Sequence, residues 1–272
     1  MNMVATRMLT KASTSRAFNS LAHLSSRAFT SKVDSSTLSE IKGLLTALRE
    51  LDTACLCDAD KSVLGTDGHI GLKLMDSSIR PINFSQQKHI VMAGVARTVQ
   101  CTDKDDFLAV LRGMEESQSD DVLLVNTLSS TRAVAGELFC SEAQRKGLAG
   151  IVLDGPIRDT AQLEDLSVRC YATSITPYSG STQSGGSMQT AIQCCGIEVI
   201  PGDIVMGDND GIIVGKIETF QELLPIARGI HSTEATLREA VSSGSKLTDK
   251  TNYEDHLKNR IAGKESSLAF RI

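Results

Sequence analysis

The sequence predicts an α/β fold in which a parallel β-α-β half precedes a half rich in short strands. Three observations carry this. DVLLVNTL (121–128) and AGIVLD (149–154) are continuous apolar runs, the pattern of strands buried on both faces. Between them AVAGELFCSEAQRKG (133–147) reads as a helix ending at Gly147, and strands joined through a helix pair in parallel. From residue 167 onward the apolar segments shorten, and turns rich in Gly, Pro and Asp separate them.

The elements follow in chain order. Residues 1–33 hold Arg7, Lys11, Arg16, Arg27 and Lys32 with no acidic residue among many Ser, Thr, Ala and Leu, the composition of an organelle transit peptide. Ser-Arg-Ala-Phe occurs at 15–18 and 26–29; the second copy, before Thr30-Ser31, fits a mitochondrial processing site, so the expected compartment is the matrix, with another organelle or a disordered basic tail as the alternatives. STLSEIKGLLTALRE (36–50) places Leu38, Ile41, Leu44, Leu45 and Leu48 on one helical stripe behind a Ser/Thr cap. A looser stretch, 62–88, contains Gly65-Thr-Asp-Gly-His69, and HIVMAGVARTVQC (89–101) reads as a strand. Residues 105–116 predict a helix. After the β-α-β unit come short strands at 167–174, 187–192, 197–200, 203–207 and 211–217, then a charged helix over 218–242. The expected folded domain spans 34–245, and 246–272 is a polar tail.

Composition excludes several functions. Tryptophan is absent and aromatics make up 4% of residues, so there is no stacking platform for nucleic acid. Removing residues 1–33 moves the formal charge from −5 to −10, which disfavours long phosphate-backbone contacts. No apolar stretch is long enough to span a bilayer, and neither nucleic acid nor membrane is an expected partner. Seven cysteines form no C-x-x-C pair, and the histidines show no zinc spacing. Cys194-Cys195 reads as one buried and one exposed thiol, and Asp58 as a turn aspartate. Gly180-Ser-Thr-Gln-Ser-Gly-Gly186 lacks the Lys-Ser/Thr of a phosphate loop; Gly207-Asp-Asn-Asp-Gly211 reads as a hairpin turn and not a calcium loop.

Chemistry is placed by topology. The start of the 133–147 helix lies at the carboxyl ends of the strands it joins, where open α/β sheets bind ligands. Its unpaired first-turn amides, near Glu137, Leu138 and Phe139, make an anion site. The second strand delivers Gly155-Pro-Ile-Arg158-Asp159 to the same edge. Arg158 offers a planar fork for a carboxylate or a keto oxygen. Asp159 and Glu137 offer hard oxygens to Mg²⁺ or Mn²⁺. Arginine and metal converging on a 2-oxo acid would stabilise an enolate. From spacing alone an exposed turn salt bridge is an equal alternative.

AGELFCSEAQRKGLAGIVLDGPIRD, with CGIEVIPGDIVMGDNDGIIVG (195–215), resembles the family of 4-hydroxy-4-methyl-2-oxoglutarate aldolases and the related regulator of ribonuclease activity A. The resemblance runs from about residue 40 to 245 and takes in LDTACLCDA (51–59), SIRPI (78–82) and GVARTV (94–99). It implies a swivelling β/β/α architecture and a divalent-metal lyase that releases pyruvate, with oxaloacetate decarboxylation through the same enolate. The family pattern of an acidic residue, twenty intervening residues and Arg-Asp falls here on Glu137, 138–157 and Arg158-Asp159. It implies that Asp159 holds the metal, that Arg158 acts on the substrate oxygen, and that the pyruvyl carboxylate rests on amides of Leu138 and Phe139, beside Gly136. It further implies a trimer or hexamer in which Glu234 completes a neighbouring subunit's site. Two features diverge within the family: the aldolases have aspartate where Glu137 stands, and the non-catalytic ribonuclease regulators typically lack the Arg-Asp pair that this chain keeps. A regulatory binding protein without turnover is the rival expectation. A methyltransferase finds no glycine-rich loop after a first strand.

Overall fold

The computed structural model describes residues 35–64, 71–83 and 90–271. The expected transit segment and Gly65–His69 lie outside the described residues. The chain forms two compact units, one of residues up to Thr53 with Gly71–Phe220, the other of Ala54–Ile70 with Gln221–Ile272.

The first unit is built on one mixed sheet. Its strands are β1 (Lys73–Leu74), β2 (Arg80–Pro81), β3 (Met92–Gln100), β4 (Asp121–Asn126), β5 (Gly150–Ile157), β6 (Arg169–Ile175), β7 (Ser187–Met188), β10 (Ile204–Gly207) and β11 (Ile212–Gly215). A separate ribbon pairs β8 (Ile192–Cys194) with β9 (Ile197–Val199). The sheet order is β1-β11-β10-β3-β4-β5-β6-β2, with β7 also on β3. The centre β3-β4-β5-β6 is parallel, as the buried runs predict, and the flanks are antiparallel.

Alternation along the central strands produces three layers. Leu123, Val125, Ile151 and Leu153 face one way, into a core shared with Ala109, Val110, Met114, Cys140 and Ala143. Those residues belong to helices α3 (Leu108–Glu116) and α4 (Glu137–Lys146). Val122, Leu124 and Val152 face the other way, against Ile192, Cys194, Cys195 and Val199 of the ribbon. Ribbon, sheet and helices thus stack as β/β/α, and burial on both faces explains why these strands read as unbroken apolar runs. Helix α1 (Ser35–Leu48) carries the predicted stripe, with Ile41, Leu44, Leu45 and Leu48 buried and Leu38, in its first turn, exposed.

Several local expectations are corrected. Residues 133–136 are not helical. Ala133 N donates to Tyr178 O (2.8 Å), and Ala133 and Ala135 make parallel bridges to Ser179 and Ile157. Sheet-like pairing with distant segments overrides the local helix propensity of this alanine-rich stretch. The helix closes as expected at Gly147, left-handed with φ of 75°. Asp58 lies in helix α2 (Thr53–Leu64), paired with Lys61 one turn on at 3.2 Å, and not in a turn. Cys194 and Cys195 are both buried, because the ribbon presses against the sheet. The second unit holds most of α2 and of the long helix α6 (Ile217–Ser242), a 3₁₀ turn (Leu247–Lys250) and helix α7 (Tyr253–Ile261). Segment 246–272 therefore contains a turn and a helix. Helix α5 (Thr160–Leu163) is a single turn after β5.

Candidate active site

The amino end of α4 is where the predicted residues of the first unit meet. Gly136 caps the helix in extended conformation, and no side chain closes the cap. The first helical bond runs from Cys140 N to Gly136 O, 3.2 Å. The amides of Leu138 and Phe139 precede it and point out of the helix end. Chain pairing brings the end of β5 alongside, through Arg158 N to Ala135 O at 3.3 Å. Asp159 then turns left-handed, φ 61° and ψ 38°, and swings its carboxylate over the helix start. Its Oδ2 accepts Glu137 N at 3.3 Å and lies 3.4 Å from Arg158 Nε. A Cβ at Gly136 would sit 2.4 Å from Asp159 Oδ2 and 3.0 Å from Arg158 Cγ, so these two side chains would have to shift.

These groups open on a cleft of about 50 Å³ lined by Phe107, Ala133–Gly136, Leu138, Phe139, Arg158, Asp159 and Ser179. Phe107 and Phe139 meet edge to face, centroids 6.0 Å apart, and give the cleft an apolar wall. Arg158 and Asp159 are each about two-fifths exposed and are the charged groups of the lining. Arg158 Nε pairs with Asp159, and among the described residues no hydrogen bond engages the terminal guanidinium nitrogens. Glu137 follows a different course. Its Oε1 accepts the Ser141 hydroxyl at 2.7 Å, one turn along α4.

The loop that leads into the cleft is pinned from below. Asp105 Oδ1 accepts the Ser130 hydroxyl (2.6 Å) and the amides of Thr131 (2.8 Å) and Arg132 (3.1 Å). The Ser130 hydrogen bond, with help from the two amides, holds the Asp105 carboxyl below the usual carboxylate range. In the Gly/Ser run the amides of Gln183 and Ser184 donate to buried Asp106. The 207–211 segment is the β10–β11 turn, where Asp208 accepts Asp210 N at 2.9 Å.

Glu234 belongs to the second unit. On α6 it accepts from the Cys55 thiol at 3.8 Å, with His231 Nδ1 4.0 Å from the same sulfur. Elsewhere, three buried thiols are poor nucleophiles: burial pushes Cys101 up to about 11, and contacts with Cys195 and Cys140, followed by burial, raise Cys194 and Cys170. Phe107, Ser141 and Asp105 are site features that sequence reasoning missed. For Ser141 the signal is there, an acidic residue and a serine four apart in a predicted helix. Phe107 and Asp105 reach the site only through long-range folding.

Comparisons with known proteins point to one family. The RraA-like family pattern, described as Aldolase/RraA, matches residues 53–214. A Halalkalibacterium halodurans protein named putative 4-hydroxy-4-methyl-2-oxoglutarate aldolase is 33% identical over 199 residues, 73% of this chain and 88% of that one. A Thermus thermophilus protein named 4-hydroxy-4-methyl-2-oxoglutarate aldolase is 31% identical over 45% of this chain and 74% of its own. Among solved structures, Streptomyces coelicolor RraAS2, described as an unusual member of the RNase ES inhibitor RraA protein family, is 26% identical with a TM-score of 0.59, covering 72% of this chain and 96% of that one. With the family pattern over more than half its length and the Arg-Asp pair folded onto a helix start, the chain belongs to the RraA-like family of aldolases and RraA proteins.

Proposed function

We propose that the protein is a divalent-metal-dependent lyase that releases pyruvate from 2-oxo acids, cleaving 4-hydroxy-4-methyl-2-oxoglutarate-like substrates and decarboxylating oxaloacetate. The observation that carries it is the convergence of Arg158, Asp159 and the open first turn of α4 on one cleft. In this reading the substrate's 1-carboxylate accepts from the amides of Leu138 and Phe139, favoured by the positive end of the helix. Arg158 donates to the 2-oxo oxygen. As the C3–C4 bond breaks, its electron pair moves to C2–C3 and negative charge grows on that oxygen, where a fixed guanidinium stabilises it more than in the ground state. The Phe107–Phe139 wall keeps water from one side of the cleft.

The donor set fits a hard cation. Asp159 is a half-exposed carboxylate whose Oδ2 is engaged by Glu137 N and Arg158, which leaves Oδ1 for a ligand. One carboxylate oxygen with retained waters suits Mg²⁺ or Mn²⁺. Bound there, the ion would supply Lewis-acid stabilisation of the developing charge. The reading includes a homotrimer or homohexamer in which Glu234 reaches a neighbour's cleft, and delivery to the mitochondrial matrix by residues 1–33. Import of a fluorescent protein fused behind residues 1–33 would test the latter.

The rival reading is a binding protein without turnover; the RNase ES inhibitor description of the Streptomyces relative favours it. Purified protein with Mg²⁺ or Mn²⁺, assayed for pyruvate from both substrates, separates the two. Metal-dependent pyruvate above the metal-only background, lost on chelation and in Arg158→Ala, is the expected result. Pyruvate no faster than with metal alone would leave the binding reading standing.

A further inference from the structure

The carboxylate next to Gly136 in the chain is not in the wall of the cleft. The lining passes from Gly136 to Leu138 and Phe139 without Glu137. Glu137 is instead bonded through Oε1 to the Ser141 hydroxyl at 2.7 Å, on the same face of α4. Glutamate has the reach for this contact one turn on, and aspartate is one methylene shorter.

The two proposed reactions share an enolate but differ in what they ask of a base. In aldol cleavage the C3–C4 electron pair becomes the enolate while C4 becomes a ketone, so the 4-hydroxyl must give up its proton. In decarboxylation the C3–C4 pair also becomes the enolate, but the departing group is a carboxylate that leaves as CO₂ and has no proton to lose. Both finish when C3 takes a proton to give pyruvate. A carboxylate held out of the cleft therefore hinders the first reaction and is indifferent to the second.

We infer that Ser141 is a positioning residue that holds Glu137 off the cleft and biases this chain toward β-keto acid decarboxylation over aldol cleavage. The inference rests on the lyase reading above. The test uses the full chain with Mg²⁺ and follows pyruvate from oxaloacetate and from 4-hydroxy-4-methyl-2-oxoglutarate. Wild type is expected to favour oxaloacetate in kcat/KM. Ser141→Ala should raise the ratio of aldol cleavage to decarboxylation by about fivefold, the worth of one lost hydrogen bond, through kcat for the hydroxy acid with KM little moved. Ser141→Thr, which keeps the hydroxyl, should keep the wild-type ratio. In Glu137→Gln/Ser141→Ala the gain should vanish, since an amide cannot take the proton. An unchanged ratio in a folded Ser141→Ala protein, or a gain that survives Glu137→Gln, overturns the inference while the lyase reading stands. No pyruvate from either substrate in wild type sinks both.

Discussion

At the scale of single residues the site depends on one missing side chain. Gly136 is extended, with φ of −162° and ψ of −159°, a conformation open to any residue. Its glycine therefore matters for space, because a Cβ would displace the Asp159 carboxylate. Asp159 is held left-handed, a conformation that costs a non-glycine residue of order 1 kcal/mol and persists only where neighbours enforce it. Gly136→Ala should push the Asp159 carboxylate off Glu137 N and Arg158. The expected outcome is a loss of about tenfold or more in kcat/KM for pyruvate release with a near-native melting temperature, measured side by side on one preparation. Equal losses in activity and melting temperature would show a folding defect instead of a displaced carboxylate.

At the scale of elements, the loop from β4 into α4 takes its shape from a carboxylate on a distant segment. Asp105 binds one hydroxyl and two amides of 130–132 and is thereby kept ionised to lower pH than an ordinary aspartate. A carboxyl whose native pKa lies below its unfolded value binds fewer protons in the folded state. Its contribution is fully present above the ordinary value of about 4 and is lost as pH falls through the lowered native value. Asp105→Ala should therefore melt below wild type at neutral pH, with the gap closing as the pH is taken down through that window. Thermal unfolding of both proteins across a pH series checks it, and a gap constant with pH would mean that the charge is not the cause. The buried Arg97–Asp121 pair joining β3 and β4 has the opposite sign. Burial, outweighing the nearby arginine, raises Asp121, so ionising it works against folding.

At the scale of the whole molecule, the proposed shared site makes a claim about assembly. If Glu234 serves a neighbour's cleft, mixing inactive Arg158→Ala chains with inactive Glu234→Ala chains should restore part of the pyruvate release, because some clefts then draw both intact residues from different subunits. Mixed subunits as silent as either parent would place the two residues' roles in one chain. The sequence by itself determined the parallel strands, the connecting helix and the position of Arg158-Asp159 at their carboxyl edge. Period and apolar continuity are local, and a β-α-β connection has one hand, so these follow from neighbours in the chain. Glu137, Leu138 and Phe139 stand in the first turn, where the anion-binding amides are expected, although the helix starts at Glu137 and not at 133. Only the tertiary structure decided that the antiparallel flanks join the same sheet, that a ribbon buries Cys195 with Cys194, and that 133–136 is extended. It alone decided that Glu137 turns to Ser141 while Asp159 covers the helix end. Lateral pairing and side-chain packing are settled between segments far apart in sequence, and no local pattern carries that information.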